Sequence, residues 1–316
     1  MKQYEKMAAE IFRRHGLSFE SAERAGGWTN AVWLNGDFAL RVSKQINNDI
    51  IRREAERSKL LPLSVGYPRN IAAGVIDGYE WALSERVQGV SLSSIWNDLS
   101  RVHKVKAVKQ ILDITEDVHS VSVSAVKHIT LTSAWYNSFD RDSSVADIER
   151  YTAKGWFTAQ QGKNLYDALV RFYDCIACVT PVLCHGDITP DNILWHDGNV
   201  VSLLDFEHAV IAPGQLDIHS LVNLALIPCD VILLNHEIHE NHEIQAYVDE
   251  MIRLFKPFLY EQRDKDLFIG YNILFRQRFF EFWLADPNGS MEMCDAYQKL
   301  LSLSDGNGGY LLKILR

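Results

Sequence analysis

Apolar and polar positions alternate in short runs through roughly the first ninety residues, then recur every three to four residues over most of the remainder. The first period is that of strands with one face buried, the second that of amphipathic helices. The opening segment is an exception. Residues 2–15 carry Tyr4, Met7, Ala8 and Ile11 on one helical face, with Gly16 as a C-cap. Strand-like runs follow at 19–24, 31–35 and 38–42, the last two joined by the hairpin turn Asn35-Gly36-Asp37. Residues 47–61 read as a helix stopped by Pro62. Two more strands, 71–76 and 79–87, flank Asp77-Gly78. From residue 91 the pattern predicts helices at 91–99, 102–120 and 165–179. Short strands follow at 182–184, 193–195 and 200–204, then helices at 216–227, 242–258, 265–284 and 291–303, with a short final helix after the glycines at 306, 308 and 309.

The polar residues inside residues 182–217 carry the candidate chemistry. The stretch reads V-L-C-H-G-D-I-T-P-D-N-I-L-W-H-D-G-N-V-V-S-L-L-D-F-E-H-A-V-I-A-P-G-Q-L-D. His196-Asp197-Gly198-Asn199 is a turn signal, so 193–195 and 200–204 form a hairpin. Asn192 precedes its first strand and Asp205 follows its second, which places them side by side. Asp187 enters the same space from the loop after 182–184. An amide and two carboxylates set among apolar runs need partners, and their oxygens suit Mg²⁺.

The segment H-G-D-x-x-x-x-N followed by x-D-F-E resembles the catalytic and metal-binding segment of the aminoglycoside phosphotransferase family, small-molecule relatives of the protein kinases. His185, Gly186, Asp187, Asn192, Asp205, Phe206 and Glu207 carry the match, and Asp217 fits the later acidic position that closes the block. The resemblance implies an α+β, bilobal protein-kinase-like fold. Its small antiparallel-sheet N-lobe binds nucleotide over residues 1–88. Its larger, mostly helical C-lobe spans 89–316, with an aromatic-rich segment at 128–161 as a possible cap or simply core. Asp187 is then the catalytic residue facing the acceptor hydroxyl, and Asn192 and Asp205 the Mg²⁺ ligands.

The N-terminal part supplies the nucleotide side of the same reading. Gly26 and Gly27, with Thr29 and Asn30, form a turn whose backbone can approach phosphate closely, and G-G-x-T-N-x-V-W resembles the family's nucleotide-covering loop. In F-A-L-R-V-S-K, strand alternation puts Ala39, Arg41 and Ser43 on one face and Leu40, Val42 and Lys44 on the other. Arg41 occupies the position where the family usually has Lys, and it holds phosphate in a forked geometry. Glu54, in R-R-E-A-E-R, fits the helix glutamate that pairs with it. Residues 83–87, including Glu85 and Val87, fall where the fold passes the nucleotide base and binds it through backbone groups.

Composition narrows the partners. The chain has 316 residues, 47% of them hydrophobic, and a net charge of −9, which disfavours nucleic acid. Residues 1–100 hold 13 Lys+Arg against 12 Asp+Glu, and residues 101–316 hold the remaining 19 against 29. The acidity lies in the part expected to meet the acceptor, which favours a cationic one. No apolar run reaches the length of a membrane span. The N-terminus lacks a signal-peptide pattern, and an odd count of five cysteines argues against a secreted disulfide framework. The expectation is a cytoplasmic monomer or weak dimer. Cys175 and Cys178 read as buried thiols, His119 as structural, and His236, His239 and His242 as a solvated acidic helix end or loop.

Only residues 206–216 separate Asp205 from Asp217, too few for a peptide-docking activation loop, and there is no H-R-D or A-P-E sequence. The sequence therefore predicts an ATP- or GTP-dependent kinase of a small-molecule hydroxyl, an aminoglycoside by resemblance. A macrolide, or an amino alcohol or sugar of the choline-kinase-like relatives, is the alternative acceptor. A nucleotide-binding pseudoenzyme is the reading from another class.

Overall fold

The computed structural model describes residues 2–27, 29–126, 140–226, 242–284 and 291–316. Its N-terminal part is a five-stranded antiparallel sheet ordered β1-β2-β3-β5-β4, made of β1 (Glu23–Ala25), β2 (Asn30–Asn35), β3 (Phe38–Ile46), β4 (Asn70–Ile76) and β5 (Tyr79–Glu85). Helix α1 (Lys2–Arg14) covers one face. Met7, Ala8, Ile11 and Phe12 pack there on Ala31, Trp33, Leu40, Val42, Trp81 and Leu83. Leu40 and Val42 thus fill this core while Ala39 and Arg41 face the other way, into a cleft. That is the alternation the sequence required.

Two local expectations are corrected. Residues 19–24 form a 3₁₀ turn, Phe19–Ser21, before the short β1. Ser18 Oγ accepts the Glu20 N–H, and Asn35 donates to the Ser18 carbonyl, so side-chain–backbone bonds displace the strand. Helix α2 (Ile50–Ser58) is shorter than 47–61. Glu80 on β5 accepts the N–H groups of Ile51 and Arg52, which fixes the helix start from a distant strand.

Beyond β5 the chain adds α3 (Leu92–Ile95), α4 (Arg101–His119), α5 (Val123–Val126), α6 (Arg141–Ala153) and α7 (Ala159–Ile176). The predicted helix 91–99 is a single α turn followed by a 3₁₀ turn, Trp96–Asp98. β6 (Val90–Ser91), β8 (Ile193–His196) and β9 (Asn199–Leu203) form a small sheet, with β8 and β9 as the expected hairpin. β7 (Val182–Cys184) pairs with β10 (Val210–Ala212), a strand the pattern did not reveal. Helices α8 (Gln215–Leu226), α9 (His242–Phe255), α10 (Gln262–Leu284), α11 (Met291–Leu303) and α12 (Leu312–Leu315) complete the described chain.

Helices α4, α7, α8 and α10 enclose the larger core, with Ile111, Leu169, Phe172, Leu221 and Phe268 all buried. Of the aromatic-rich segment, Tyr151 and Phe157 are buried in that core, where Tyr151 meets Phe280 edge-on. Trp135, Tyr136 and Phe139 lie outside the described residues, as do His236 and His239. Cys175 is half-buried and Cys178 exposed, because α7 ends at Ile176 and the next turn reaches the surface; the expectation of two buried thiols is corrected. Among the described residues no helix is long and apolar enough to cross a membrane.

Candidate functional site

A cavity of about 730 Å³ lies between the five-stranded sheet and the β8–β9 hairpin. Gly26, Gly27, Thr29, Asn30, Arg41, Glu85 and Val87 line it from the N-terminal side, and Asp187, Asn192 and Asp205 from the other. Glu54 stands behind Arg41. The structure brings every candidate site residue to this cleft or to its wall.

The glycine turn is held at its base. Lys44 Nζ donates to the Gly27 carbonyl at 2.7 Å, and Asn30 Nδ2 donates to Thr29 Oγ1 at 3.2 Å. A Cβ on Gly27 would lie 2.5 Å from the Asn30 carbonyl oxygen, so the close turn demands glycine. Glu85 lines the cleft with its carboxylate bonded to Arg69 and its N–H donating to the Arg69 carbonyl at 2.9 Å.

Glu54 is buried at 1% exposure and organises the inner wall. It accepts from Arg41 Nη2 at 2.6 Å, from the Tyr67 hydroxyl at 2.6 Å and from the Phe206 N–H at 2.9 Å. Burial alone would push its carboxyl up. The Arg41 charge and these hydrogen bonds outweigh burial and hold it below the usual range. For Arg41, burial works against the charge, yet the neighbouring Glu54 carboxylate holds the guanidinium firmly protonated.

The opposite wall is built on the β8–β9 hairpin. The Leu204 N–H donates to the Asn192 carbonyl at 2.7 Å, extending the ladder past β8 and β9 and setting Asn192 beside Asp205. Asn192 Nδ2 donates to Asp187 twice, to its carbonyl at 3.0 Å and to Oδ2 at 3.1 Å, which leaves the Asn192 amide oxygen for other use. The Asp187 N–H donates to His185 Nδ1 at 3.1 Å, so the His185 proton sits on Nε2 and is donated to the Leu204 carbonyl at 2.8 Å. His185 is a fully buried strut between the two loops.

Asp217 ties the Asp187 loop to α8. Its buried carboxylate accepts the N–H groups of His185 and Gly186, each at 2.9 Å, and His119 Nε2 at 2.9 Å. Cys184 joins this cluster, but its thiol faces the carbonyls of Ala212 and Pro213. His119 is accordingly structural. Burial opposes the Asp217 charge, but the bond from His119 and the surrounding positive charge and N–H groups keep its carboxyl below the ordinary range. A depressed carboxyl stabilises the fold above its unfolded pKa, and the contribution is lost as pH falls through the folded value. Asp217→Asn is expected to lower stability by about 1.5–3 kcal/mol near neutral pH. It should also flatten the acid side of the stability profile, as urea unfolding across pH would record.

The residues present fit a divalent cation. Asp205 Oδ1 is buried without a hydrogen-bond partner. Burial, then the Glu54 charge, raises the Asp205 carboxyl to about 6, and burial with the Asp205 charge raises Glu207 to about 8. Several carboxylates crowd a cleft with Arg41 as their principal counter-charge, an arrangement that a cation bound by oxygen would relieve. Glu207 lines the cleft too, although only its place in the motif suggested this. Tyr67 and Arg57 are contributors the sequence reading missed. Tyr67 lies between α2 and β4 with no local signature, whereas Arg57 is one helical turn after Glu54 on the same face and could have been read.

The model of the phosphotransferase enzyme family matches residues 21–237. No curated protein matches the sequence. Among solved structures, the GDP complex of wild-type aminoglycoside 2'-phosphotransferase-IIIa aligns at a TM-score of 0.67 and 16% identity, covering 95% of this chain and 99% of that one. A thermostable mutant of aminoglycoside phosphotransferase APH(4)-Ia, in ternary complex with ADP and hygromycin B, aligns at 0.63 and 14%, covering 95% and 98%. A GDP and kanamycin complex of an APH(2") enzyme aligns at 0.59 and 17%, covering 96% and 98%. The architecture is therefore the α+β, bilobal protein-kinase-like fold.

Proposed function

The chain belongs to the phosphotransferase enzyme family and is a nucleotide-dependent kinase; we propose that it moves the γ-phosphoryl group of ATP or GTP, with Mg²⁺, to a hydroxyl of a small cationic molecule, an aminoglycoside antibiotic. The observation that carries this reading is one cleft holding the Arg41–Glu54 pair, the Asn192 and Asp205 oxygens, and Asp187. In it, residues 1–88 hold the nucleotide and 89–316 the chemistry and the acceptor.

The residues divide the work as follows. The turn at Gly26 and Gly27, with Thr29 and Asn30, covers the phosphates, and Arg41, braced by Glu54, neutralises their charge. The backbone of Glu85 and Val87 borders the base. Asn192 and Asp205 would hold Mg²⁺, which when bound compensates phosphate charge and orients the leaving group. Asp187 accepts the hydrogen bond of the acceptor hydroxyl and aims its oxygen at the γ-phosphorus. As the new O–P bond forms and the bridging P–O bond to the nucleoside diphosphate breaks, the hydroxyl proton passes to Asp187. An aspartate is a weak base toward an alcohol, so orientation is its larger contribution.

Two features support a small cationic acceptor. Residues 206–208 fold into a 3₁₀ turn and 210–212 into β10 against β7, so this stretch forms no extended loop to dock a peptide. Asp187 and Asp191 also line the cleft, in the acidic part of the chain. Initial rates with Mg²⁺-ATP and Mg²⁺-GTP across aminoglycosides, macrolides, sugars and amino alcohols test the assignment. The expected result is the highest kcat/KM for an aminoglycoside. Faster transfer to a neutral sugar or an amino alcohol would overturn the acceptor class.

A further inference from the structure

Asp205 has an unusual backbone for a residue with a side chain, at φ 65° and ψ 70°. Few non-glycine residues adopt the left-handed region, and those that do are held there by their surroundings. Here the surroundings are largely one helix. The peptide after Asp205 offers its N–H, on Phe206, to Glu54 on α2 at 2.9 Å. The next two peptides offer their carbonyls to Arg57 on the same helix, with Nη1 donating to the Phe206 oxygen at 2.8 Å and to the Glu207 oxygen at 3.1 Å. Three successive peptide planes following Asp205 are therefore fixed from α2. The Phe206 ring adds two edge contacts, with Tyr67 at 5.7 Å and His185 at 4.4 Å between centroids.

Arg57 is 3% exposed, and burial works against its charge while the nearby Glu54 carboxylate favours it. What the two bonds do is fix the direction in which the Asp205 carboxylate leaves the chain. We propose that Arg57 is a positioning residue, holding the Asp205–Glu207 turn in the backbone conformation that aims the Asp205 carboxylate into the cleft. It acts through the turn and not on the nucleotide. A group that fixes the direction of a metal ligand in this way sets how tightly the metal is held.

The inference rests on the reading of Asp205 as the Mg²⁺ ligand, and the test separates the two. ADP affinity is measured by calorimetry in EDTA and in excess Mg²⁺ for the parent, Arg57→Met, Arg57→Lys and Asp205→Asn. Amide exchange of residues 204–208 is followed in the metal-free protein. Arg57→Met is expected to leave the EDTA affinity nearly unchanged and to cut the gain from Mg²⁺ by about 10–100-fold. Exchange should quicken at 204–208 and not in α4 or α7. Arg57→Lys, whose ammonium can still donate to a carbonyl, should recover part of both. An equal loss with and without Mg²⁺, or unchanged exchange in the turn, would overturn the role of Arg57. If Asp205→Asn itself keeps the full Mg²⁺ gain, the metal assignment fails, and the exchange result alone decides whether Arg57 holds the turn. Should Arg57→Met not fold, Arg57→Gln and Arg57→Lys carry the same comparison.

Discussion

Asp187→Asn is expected to lower kcat by about 10²–10⁴-fold while leaving nucleotide affinity close to that of the parent. The geometry gives the reason for the split. The bonds that place residue 187 are mostly backbone bonds: its N–H donates to His185 Nδ1, and its carbonyl accepts from Asn192. An asparagine keeps both, and its oxygen can still accept the second Asn192 bond. What it loses is the negative charge and the capacity to receive the acceptor proton. Nucleotide contacts are proposed for Arg41, the glycine turn, Asn192 and Asp205; of these only Asn192 touches residue 187, and an asparagine there can keep both of its bonds. Steady-state kinetics with a separate binding measurement would check this. A variant that turns over within about tenfold of the parent would remove Asp187 from the acceptor side of the mechanism.

Glu54→Ala is expected to reduce stability by about 3–5 kcal/mol, the largest loss anticipated for any single substitution in the cleft. Three donors converge on this carboxylate from three separate parts of the chain, Arg41 on β3, Tyr67 before β4 and the Phe206 N–H after β9. Truncation would leave the Arg41 guanidinium largely desolvated with only the 3.3 Å contact to the Tyr67 hydroxyl among its named bonds. It would also orphan a buried N–H. Removing the charge as well, in Glu54→Ala with Arg41→Ala, should recover part of the loss, because the penalty is mainly that of an unpaired buried charge. Urea unfolding of the four proteins in the cycle measures it. A loss below about 1 kcal/mol for Glu54→Ala would mean the pair behaves as a surface ion pair. The same variant should raise the KM for nucleotide, since Arg41 would no longer be held toward the phosphates.

These effects also show why part of the site could be read from the sequence and part could not. Asp187, Asn192 and Asp205 were legible because a hairpin with a clear turn signal brings its two open ends together, and short-range geometry suffices. Arg41 was legible because strand alternation separates it from Leu40 and Val42, whose burial under α1 is dictated by their hydrophobicity. Glu54 needed the family resemblance to be paired with Arg41. Tyr67 meets Glu54 and Arg41 from a loop with no local signature, and Arg57 reaches Phe206 over 149 positions. No periodicity reports such a contact. The same holds for the start of α2, which is set by Glu80 on β5, and for β10, whose Val-Ile-Ala is too short to read as a strand until β7 is beside it. Segment 19–24 was misread because its apolar content suggested a strand, while Ser18 and Asn35 offered the backbone closer partners.

This cleft is proposed to transfer phosphate to an acceptor hydroxyl. The most direct test is to incubate the protein with Mg²⁺ and a γ-labelled nucleotide in the presence of an aminoglycoside, then follow the label. Labelled aminoglycoside is expected to form in step with nucleoside diphosphate, and about 10²–10⁴-fold more slowly with Asp187→Asn. Tight nucleotide binding with no label on any acceptor, aminoglycoside or otherwise, would contradict it and make the protein a nucleotide-binding pseudoenzyme.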